Sequence, residues 1–235
     1  MTKLAAFFPL WLCLLTGTLY AQTTVELSSL PKADAPILAE QFKDYQTVAL
    51  DYESLYEMYQ TSANEVEFSL AAKGKQPLDF RLTAYDLRAS SYHLQTMVDG
   101  RVRAQAPSRT ATFRGTVGLT NPQEALFTFD ENYVLGRWEE QGVTYYLEPL
   151  WRFDPQADRD HYLVYREQDA IIPAEYCATH IPAQVGKLQE KPVTGPEKLG
   201  ECLLVEIALA SDFELFQDFS SNATSVENFM LNSLA

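Results

Sequence analysis

The sequence contains few of the residues that build metal centres and disulfide frameworks. It has three cysteines and three histidines among 235 residues, and His93, His161 and His180 lack the spacing of metal ligands. The motif HExxH, which supplies two zinc ligands and a general base on one helix, is absent, as are the G-x-S-x-G nucleophile turn and the phosphate-binding loop. We therefore assign no catalytic residue to this chain, and an enzyme that is complete within it is the least favoured interpretation.

Positive charge is also scarce. There are 18 lysines and arginines against 32 aspartates and glutamates, which gives a formal net charge of -14. Binding to nucleic acid requires clustered lysines and arginines that displace counterions from the phosphates. This balance argues against a nucleic-acid partner and favours solubility.

Long apolar runs are missing as well, and no window beyond the amino terminus suits a membrane span of about 20 residues. The first residues instead predict a secretory signal, with a positive charge at Lys3, an apolar core over 4–15 and a cleavage site after Ala21. We expect residues 1–21 to be removed on export. The predicted location is secreted, periplasmic or in the cell envelope, without membrane attachment after cleavage.

Residues 22–182 are predicted to form a β-rich domain with short helices. Asp51 is well placed to cap one helix, which would carry Leu55, Tyr56 and Tyr59 on one side. Alternating apolar side chains at 65–71 and 78–86 indicate half-buried antiparallel strands.

The second half of this region carries the densest strand signals. The dipeptide Asp99-Gly100 lies between two extended runs and suits a tight hairpin turn. Five short strands separated by turn residues follow at 111–167, and Gly115 and Gly136 inside them indicate a bulge or a close backbone approach. The predicted fold class is α+β, with mainly antiparallel strands arranged as a sheet or a small barrel.

Residues 183–200 differ in composition from what precedes them. They combine prolines, glycines and lysines without periodicity, which is typical of an exposed and protease-accessible linker. Candidate cleavage sites within it are Lys187, Lys191 and Lys198.

Residues 201–235 are predicted to begin a second core. The apolar run at 202–210 is typical of a strand that is buried on both faces. A helix follows, for which Thr224 and Glu227 have the spacing of a capping box. Its apolar face consists of Val226, Phe229, Met230 and Leu234. We expect this strand and helix to be the start of a further domain in a longer protein.

The order of these motifs resembles the prodomain of secreted reprolysin (adamalysin) zinc metalloproteases, which belong to the metzincins. The similarity covers roughly 65–235 and is carried by FRGTV, LGRW, YYLEPLW and HYLVYRE, followed by an isolated cysteine. The run CLLVEIALASDFELFQDF likewise resembles the opening strand of the catalytic domain in that family. The resemblance implies a β-rich inhibitory prodomain at 22–182 and, at 201–235, the truncated start of an α/β metalloprotease domain.

The resemblance also implies a role for Cys177. In such zymogens a prodomain cysteine is the fourth ligand of the catalytic zinc and displaces the water that the metal would activate. The family places glycine after this cysteine, whereas the chain has Ala178. A disulfide between Cys177 and Cys202, or a thiol without a function, are the alternatives.

Two functions are therefore compatible with the sequence. The first is the propeptide region of a secreted zinc metalloendopeptidase zymogen, which keeps the protease latent by filling its cleft and by the Cys177 ligand. Its partners would be its own C-terminal protease domain and an activating protease, and its zinc would belong to the full-length protein. The second is a non-catalytic secreted β-rich module for binding or adhesion.

An aromatic set could serve such a module as a peptide or carbohydrate platform. It consists of Tyr145, Tyr146, Trp151, Tyr162 and Tyr165. Residues of this kind are more often sheet core or cross-strand pairs, which is the interpretation we favour.

Overall fold

The computed structural model describes residues 23–33, 35–98, 100–171 and 207–235. Its strands are β1 (Thr23–Ser29), β2 (Gln46–Leu50), β3 (Glu65–Ala72), β4 (Leu78–Ala84), β5 (Leu94–Val98), β6 (Arg101–Gln105), β7 (Thr112–Val117), β8 (Gln123–Phe129), β9 (Val134–Glu140), β10 (Val143–Pro149) and β11 (His161–Arg166). Its helices are α1 (Pro36–Gln41), α2 (Tyr52–Thr61), α3 (Phe213–Asp218) and α4 (Ala223–Asn232), with 3-10 turns at Leu150–Arg152 and Glu167–Asp169. Among these helices, none is long and apolar enough to cross a membrane.

Nine of the strands close into a barrel in the order β1-β2-β11-β10-β9-β8-β7-β4-β3. Neighbouring strands are antiparallel except β1 and β3, which run parallel with Val25 opposite Leu70. The remaining two strands, β5 and β6, form a separate hairpin whose turn contains Gly100 at φ 70°. The predicted α+β class with mainly antiparallel strands is confirmed, and the sheet is a closed barrel.

Alternate side chains of each strand point into the barrel and fill it with aromatic rings. Phe68 and Phe80 stack with ring centroids 4.9 Å apart, and Phe127 meets Phe80 edge-on, also at 4.9 Å. All three rings are fully buried. Ring pairs with these geometries add roughly 0.5–1.5 kcal/mol each beyond the burial of their area.

Helix α2 closes one end of the barrel. The carboxylate of Asp51 accepts a hydrogen bond from the Ser54 backbone N–H at 3.0 Å, so the predicted cap is confirmed. Leu55 and Tyr59 are buried in the barrel core, where the Tyr59 ring stacks over Phe129 at 6.1 Å.

Arg109 binds the C-terminal end of α2. Its guanidinium donates to the backbone carbonyls of Tyr59 at 3.0 Å, Ser62 at 2.6 Å and Ala63 at 2.7 Å. A cation at this position satisfies carbonyls that have no partner within the helix and complements the negative end of its dipole.

The described residues of 201–235 pack against the barrel. Ile207 to Ala210 have no regular secondary structure, and Ile207 is 63% exposed, so the predicted buried strand is not present there. Helices α3 and α4 instead pack against the outer wall of the barrel, where Phe219 and Val226 are buried. The apolar face of α4 thus shares a core with the barrel.

The predicted start of the last helix also needs correction. Asn222, not Thr224, is the N-cap of α4, because its side-chain oxygen accepts hydrogen bonds from the backbone N–H groups of Thr224 and Ser225. Glu227 does not complete a capping box, since its carboxylate pairs with Arg88. The predicted apolar face holds for Val226, Phe229 and Met230, whereas Leu234 is 44% exposed.

Both glycines inside strands mark close approaches, as predicted. A Cβ at Gly115 would lie 2.1 Å from the backbone carbonyl oxygen of Arg81 on β4. A Cβ at Gly136 would lie 2.6 Å from the ring of Phe127. The first obstacle is backbone within a strand ladder, and the second is a side chain inside the core.

We expect Gly115→Ala to destabilise the barrel more than Gly136→Ala. A β4 strand that moved away from residue 115 would lose ladder hydrogen bonds, whereas the Phe127 ring can tilt. Overpacking of a core costs roughly 1–3 kcal/mol, which is the loss expected for Gly136→Ala, and a larger loss is expected for Gly115→Ala. Urea unfolding of both variants measures this, and an equal or smaller loss at Gly115 would contradict it.

Candidate functional site

The residue predicted to bind zinc, Cys177, lies outside the described residues. The same is true of Cys202, its possible disulfide partner, of His180 and of the linker that contains Lys187, Lys191 and Lys198. The zinc-ligand hypothesis and the disulfide alternative therefore both stay predictions.

The aromatic residues that could have formed a platform are distributed over different faces. Tyr162 is fully buried inside the barrel, and Trp151 is buried on its outer wall. Tyr146 stacks on its cross-strand neighbour Tyr165 with centroids 5.3 Å apart. The prediction of core residues and cross-strand pairs is confirmed for these side chains.

Within the described ranges, one group of side chains could hold a metal ion. It consists of Asp158, Asp160 and His161, with the imidazole Nε2 3.7 Å from a carboxylate oxygen of Asp158 and 3.9 Å from one of Asp160. Both carboxylates are exposed. Structural zinc sites use mainly cysteine and histidine ligands, whereas this group has one histidine and two aspartates. This arrangement does not fit a zinc centre.

The barrel wall presents a docking face to α3 and α4. We use this name for the apolar side chains Tyr133, Leu135 and Trp151 together with the polar residues Asp130 and Arg88. The ring of Phe219, which follows α3, lies 5.3 Å from Tyr133 and 5.5 Å from Trp151 between centroids. The docking face therefore receives an aromatic anchor from the C-terminal segment.

Asp130 joins the barrel to α4 through buried hydrogen bonds. One carboxylate oxygen accepts from the Ser225 hydroxyl and the other from the Asn228 side-chain amide, each at 2.8 Å. The Tyr133 hydroxyl donates to the backbone carbonyl of Ser225 at 2.7 Å. Asp130 is 2% exposed and Ser225 is fully buried, so these groups depend on one another for hydrogen bonding.

Arg88 forms a second polar contact with α4. Its guanidinium donates to Glu227 at 3.2 Å and to both oxygens of the Asp86 carboxylate at 2.8 and 2.9 Å. The side chains of Arg88 and Glu227 are only 8% and 1% exposed. Removing one partner of such a buried pair leaves a charge without compensation, which typically costs about 3–5 kcal/mol.

The charges of this cluster shift the pKa values of its members. Hydrogen bonds from the Arg88 side chain lower the pKa of Asp86 to about 2. Burial, and next the negative charge of Glu227, raise the pKa of Tyr92 to about 12. At neutral pH Asp86 is therefore a carboxylate and Tyr92 a neutral phenol.

The end of the barrel opposite α2 is open and leads into a cavity of about 1220 Å³. Its rim is formed by the β3–β4, β7–β8 and β9–β10 turns and by the residues around β2 and β11. The apolar part of its lining consists of Leu27, Val48, Leu70, Leu78, Val117 and Val164. Trp138 and Tyr145, which also line the cavity, stack with centroids 5.6 Å apart.

Two residues that line this cavity, Gln123 and Trp138, each carry a buried side-chain polar atom without a hydrogen-bond partner among the described residues. The atoms are the Gln123 side-chain oxygen and the Trp138 indole nitrogen, and neither has accessible surface toward the cavity. Sequence reasoning singled out neither residue, since burial without a partner cannot be read from a strand pattern. It also missed Asp130 and Arg88, whose partners lie about 100 residues or more away along the chain.

No protein-family description matches the chain, and no curated protein is significantly similar to it.

We expect Asp130→Ala to loosen α4 from the barrel, because it leaves the buried donors of Ser225 and Asn228 without an acceptor. Each such group costs roughly 1–3 kcal/mol. Hydrogen exchange should show faster exchange of the α4 amides, together with a lower free energy of unfolding. Asp218→Ala removes an exposed carboxylate on α3 and is the matched control. Unchanged protection of α4 in Asp130→Ala would contradict the assignment.

The depressed pKa of Asp86 predicts a pH dependence of stability. The carboxyl has a pKa of about 2 in the folded protein and about 3.9 when unfolded. Its contribution is therefore complete above pH about 4 and is lost as the pH falls toward 2. The full shift corresponds to about 2.5 kcal/mol, which screening at this half-exposed side chain reduces to roughly 1 kcal/mol.

Asp86→Asn should remove that part of the acid destabilisation. The measurement is the difference in free energy of unfolding between wild type and variant from pH 6 to pH 2. The difference should shrink with acidification, and a difference that does not change with pH would contradict the pKa assignment.

Proposed function

We propose that the chain is the front part of a secreted zinc metalloendopeptidase zymogen, with 22–182 as an inhibitory and chaperoning prodomain. The observation that carries the proposal is the contact between the barrel and α4. The helix belongs to the segment whose sequence resembles the start of a metzincin catalytic domain, and it is held on the docking face by Asp130 and Arg88. A prodomain that assists folding of its protease needs such an interface.

The chemistry of this interface suits a tight association. Phe219 supplies a buried aromatic anchor, and beside it Asp130 and Tyr133 form hydrogen bonds with Ser225 across the contact. Buried aromatic anchors surrounded by hydrogen-bonded polar groups carry most of the energy in protein interfaces. Removal of the prodomain after cleavage in the linker would require this contact to break, and 183–200 contains the candidate cleavage lysines.

Latency is assigned in this proposal to Cys177. Its thiolate would complete the coordination of the catalytic zinc, which belongs to the full-length protein, and so exclude the water molecule needed for peptide hydrolysis. The catalytic residues would lie beyond 235, in a segment containing HExxHxxGxxH. Translation of the gene past Ala235 tests this directly, because a reading frame that ends there or lacks the motif rejects the proposal.

Cysteine variants of the full-length precursor test the switch. We expect Cys177→Ala to hydrolyse a quenched fluorescent peptide before any linker cleavage, whereas wild type does so only after cleavage. Cys202→Ala is the matched control, since a zinc ligand at Cys177 predicts that this variant stays latent. A disulfide predicts the same phenotype for both variants. Unchanged latency in Cys177→Ala would reject the zinc-ligand role.

The second candidate is a non-catalytic secreted β-rich module for binding or adhesion. The open cavity at the end of the barrel favours this candidate, because barrels that present a cavity at one end are a common architecture for holding ligands. A secreted protein that ends at Ala235 and shows no latent peptidase would support it. The two candidates differ in whether a catalytic domain follows.

A further inference from the structure

We propose that the open end of the barrel is a binding site for a small, uncharged, largely apolar molecule. This inference does not rest on the zymogen proposal. It rests on the space at this end of the barrel, on the apolar side chains that line it, and on the charge of the rim.

The cavity has the size and wall chemistry of a ligand site. Its volume of about 1220 Å³ exceeds that of typical small-molecule pockets, roughly 300–1000 Å³, and therefore leaves room for a ligand of that size. The rings of Phe80 and Phe127 fill the barrel beneath Trp138, which meets Phe80 edge-on with centroids 6.1 Å apart. The space above this aromatic layer is lined by aliphatic side chains and by Tyr145. An apolar body placed there would be shielded from water on several sides.

The rim selects against anions. Its acidic residues are Asp44, Asp79, Glu139, Glu140 and Asp169, and its basic residues are Lys73, Lys75 and Arg166. Arg166 donates to Asp169 and is therefore already paired with a carboxylate of the same rim. The excess of carboxylates repels a negatively charged ligand from the entrance. This argues for an uncharged molecule rather than a fatty acid.

Two fluorescent probes that share one aromatic framework test the site. N-phenyl-1-naphthylamine is uncharged and has an N–H donor, and 8-anilinonaphthalene-1-sulfonate carries an added negative charge. Titration of the full chain should show saturable binding of the uncharged probe at one site per molecule. The sulfonate should bind at least ~10-fold more weakly, which corresponds to about 1.4 kcal/mol.

Substitutions inside and outside the barrel locate the binding. Leu27→Trp places a large side chain in the cavity and should weaken the uncharged probe at least ~10-fold. Ser28→Trp introduces the same side chain at the next residue of β1, which is exposed, and should leave binding within about twofold. Equal effects of the two variants would overturn the assignment of the site.

The wild-type chain decides the proposal without any substitution, so the test does not depend on the tolerance of the barrel for a larger side chain. The absence of saturable binding of the uncharged probe, or sulfonate binding that is as tight as that of the uncharged probe, overturns the proposal.

Discussion

The architecture depends on the backbone pairing of β1 with both of its neighbours. This strand runs antiparallel to β2 and parallel to β3, and so joins the two ends of the sheet. Without it, β2 and β3 would each present a row of unpaired backbone N–H and C=O groups to water or to another chain. Closure also fixes which side chains point inward, and therefore decides the aromatic core, the position of α2 and the shape of the open end.

The two ends of the barrel and its outer wall then have different roles. Helix α2 fills one end with Leu55 and Tyr59, whereas turns with polar and charged residues surround the other and leave its cavity open. On the outer wall, Tyr133 and Trp151 are buried because Phe219 and α4 cover them. Uncovered, these side chains would form an exposed apolar patch of the kind that marks an interaction surface. The proposed zymogen contact and the proposed ligand site therefore lie on separate parts of one scaffold.

The features that could be predicted from the sequence are those that depend on neighbours in the chain. Alternating apolar residues predict β3 and β4, turn residues separate the strands from β7 to β11, Asp51 caps the helix that it precedes, and Gly100 lies in the hairpin turn between β5 and β6. Strands β1 and β2 were not predicted, because the strands that pair with them come from distant parts of the chain. At the last helix, local spacing offered Thr224 and Glu227 as a cap, but Glu227 pairs with Arg88 and Asn222 takes the capping position.

By itself, the sequence determined the strands from β3 onward, the burial of many aromatic side chains in them, and the special positions of Gly115 and Gly136. Each follows from the period of a strand or from the space that a residue type occupies. Only the tertiary structure decided that the barrel closes, that α4 docks on its wall, and that buried polar atoms of Gln123 and Trp138 have no hydrogen-bond partner among the described residues. Whether a buried polar group has a partner depends on residues brought to it from elsewhere in the chain, and no local pattern carries that information.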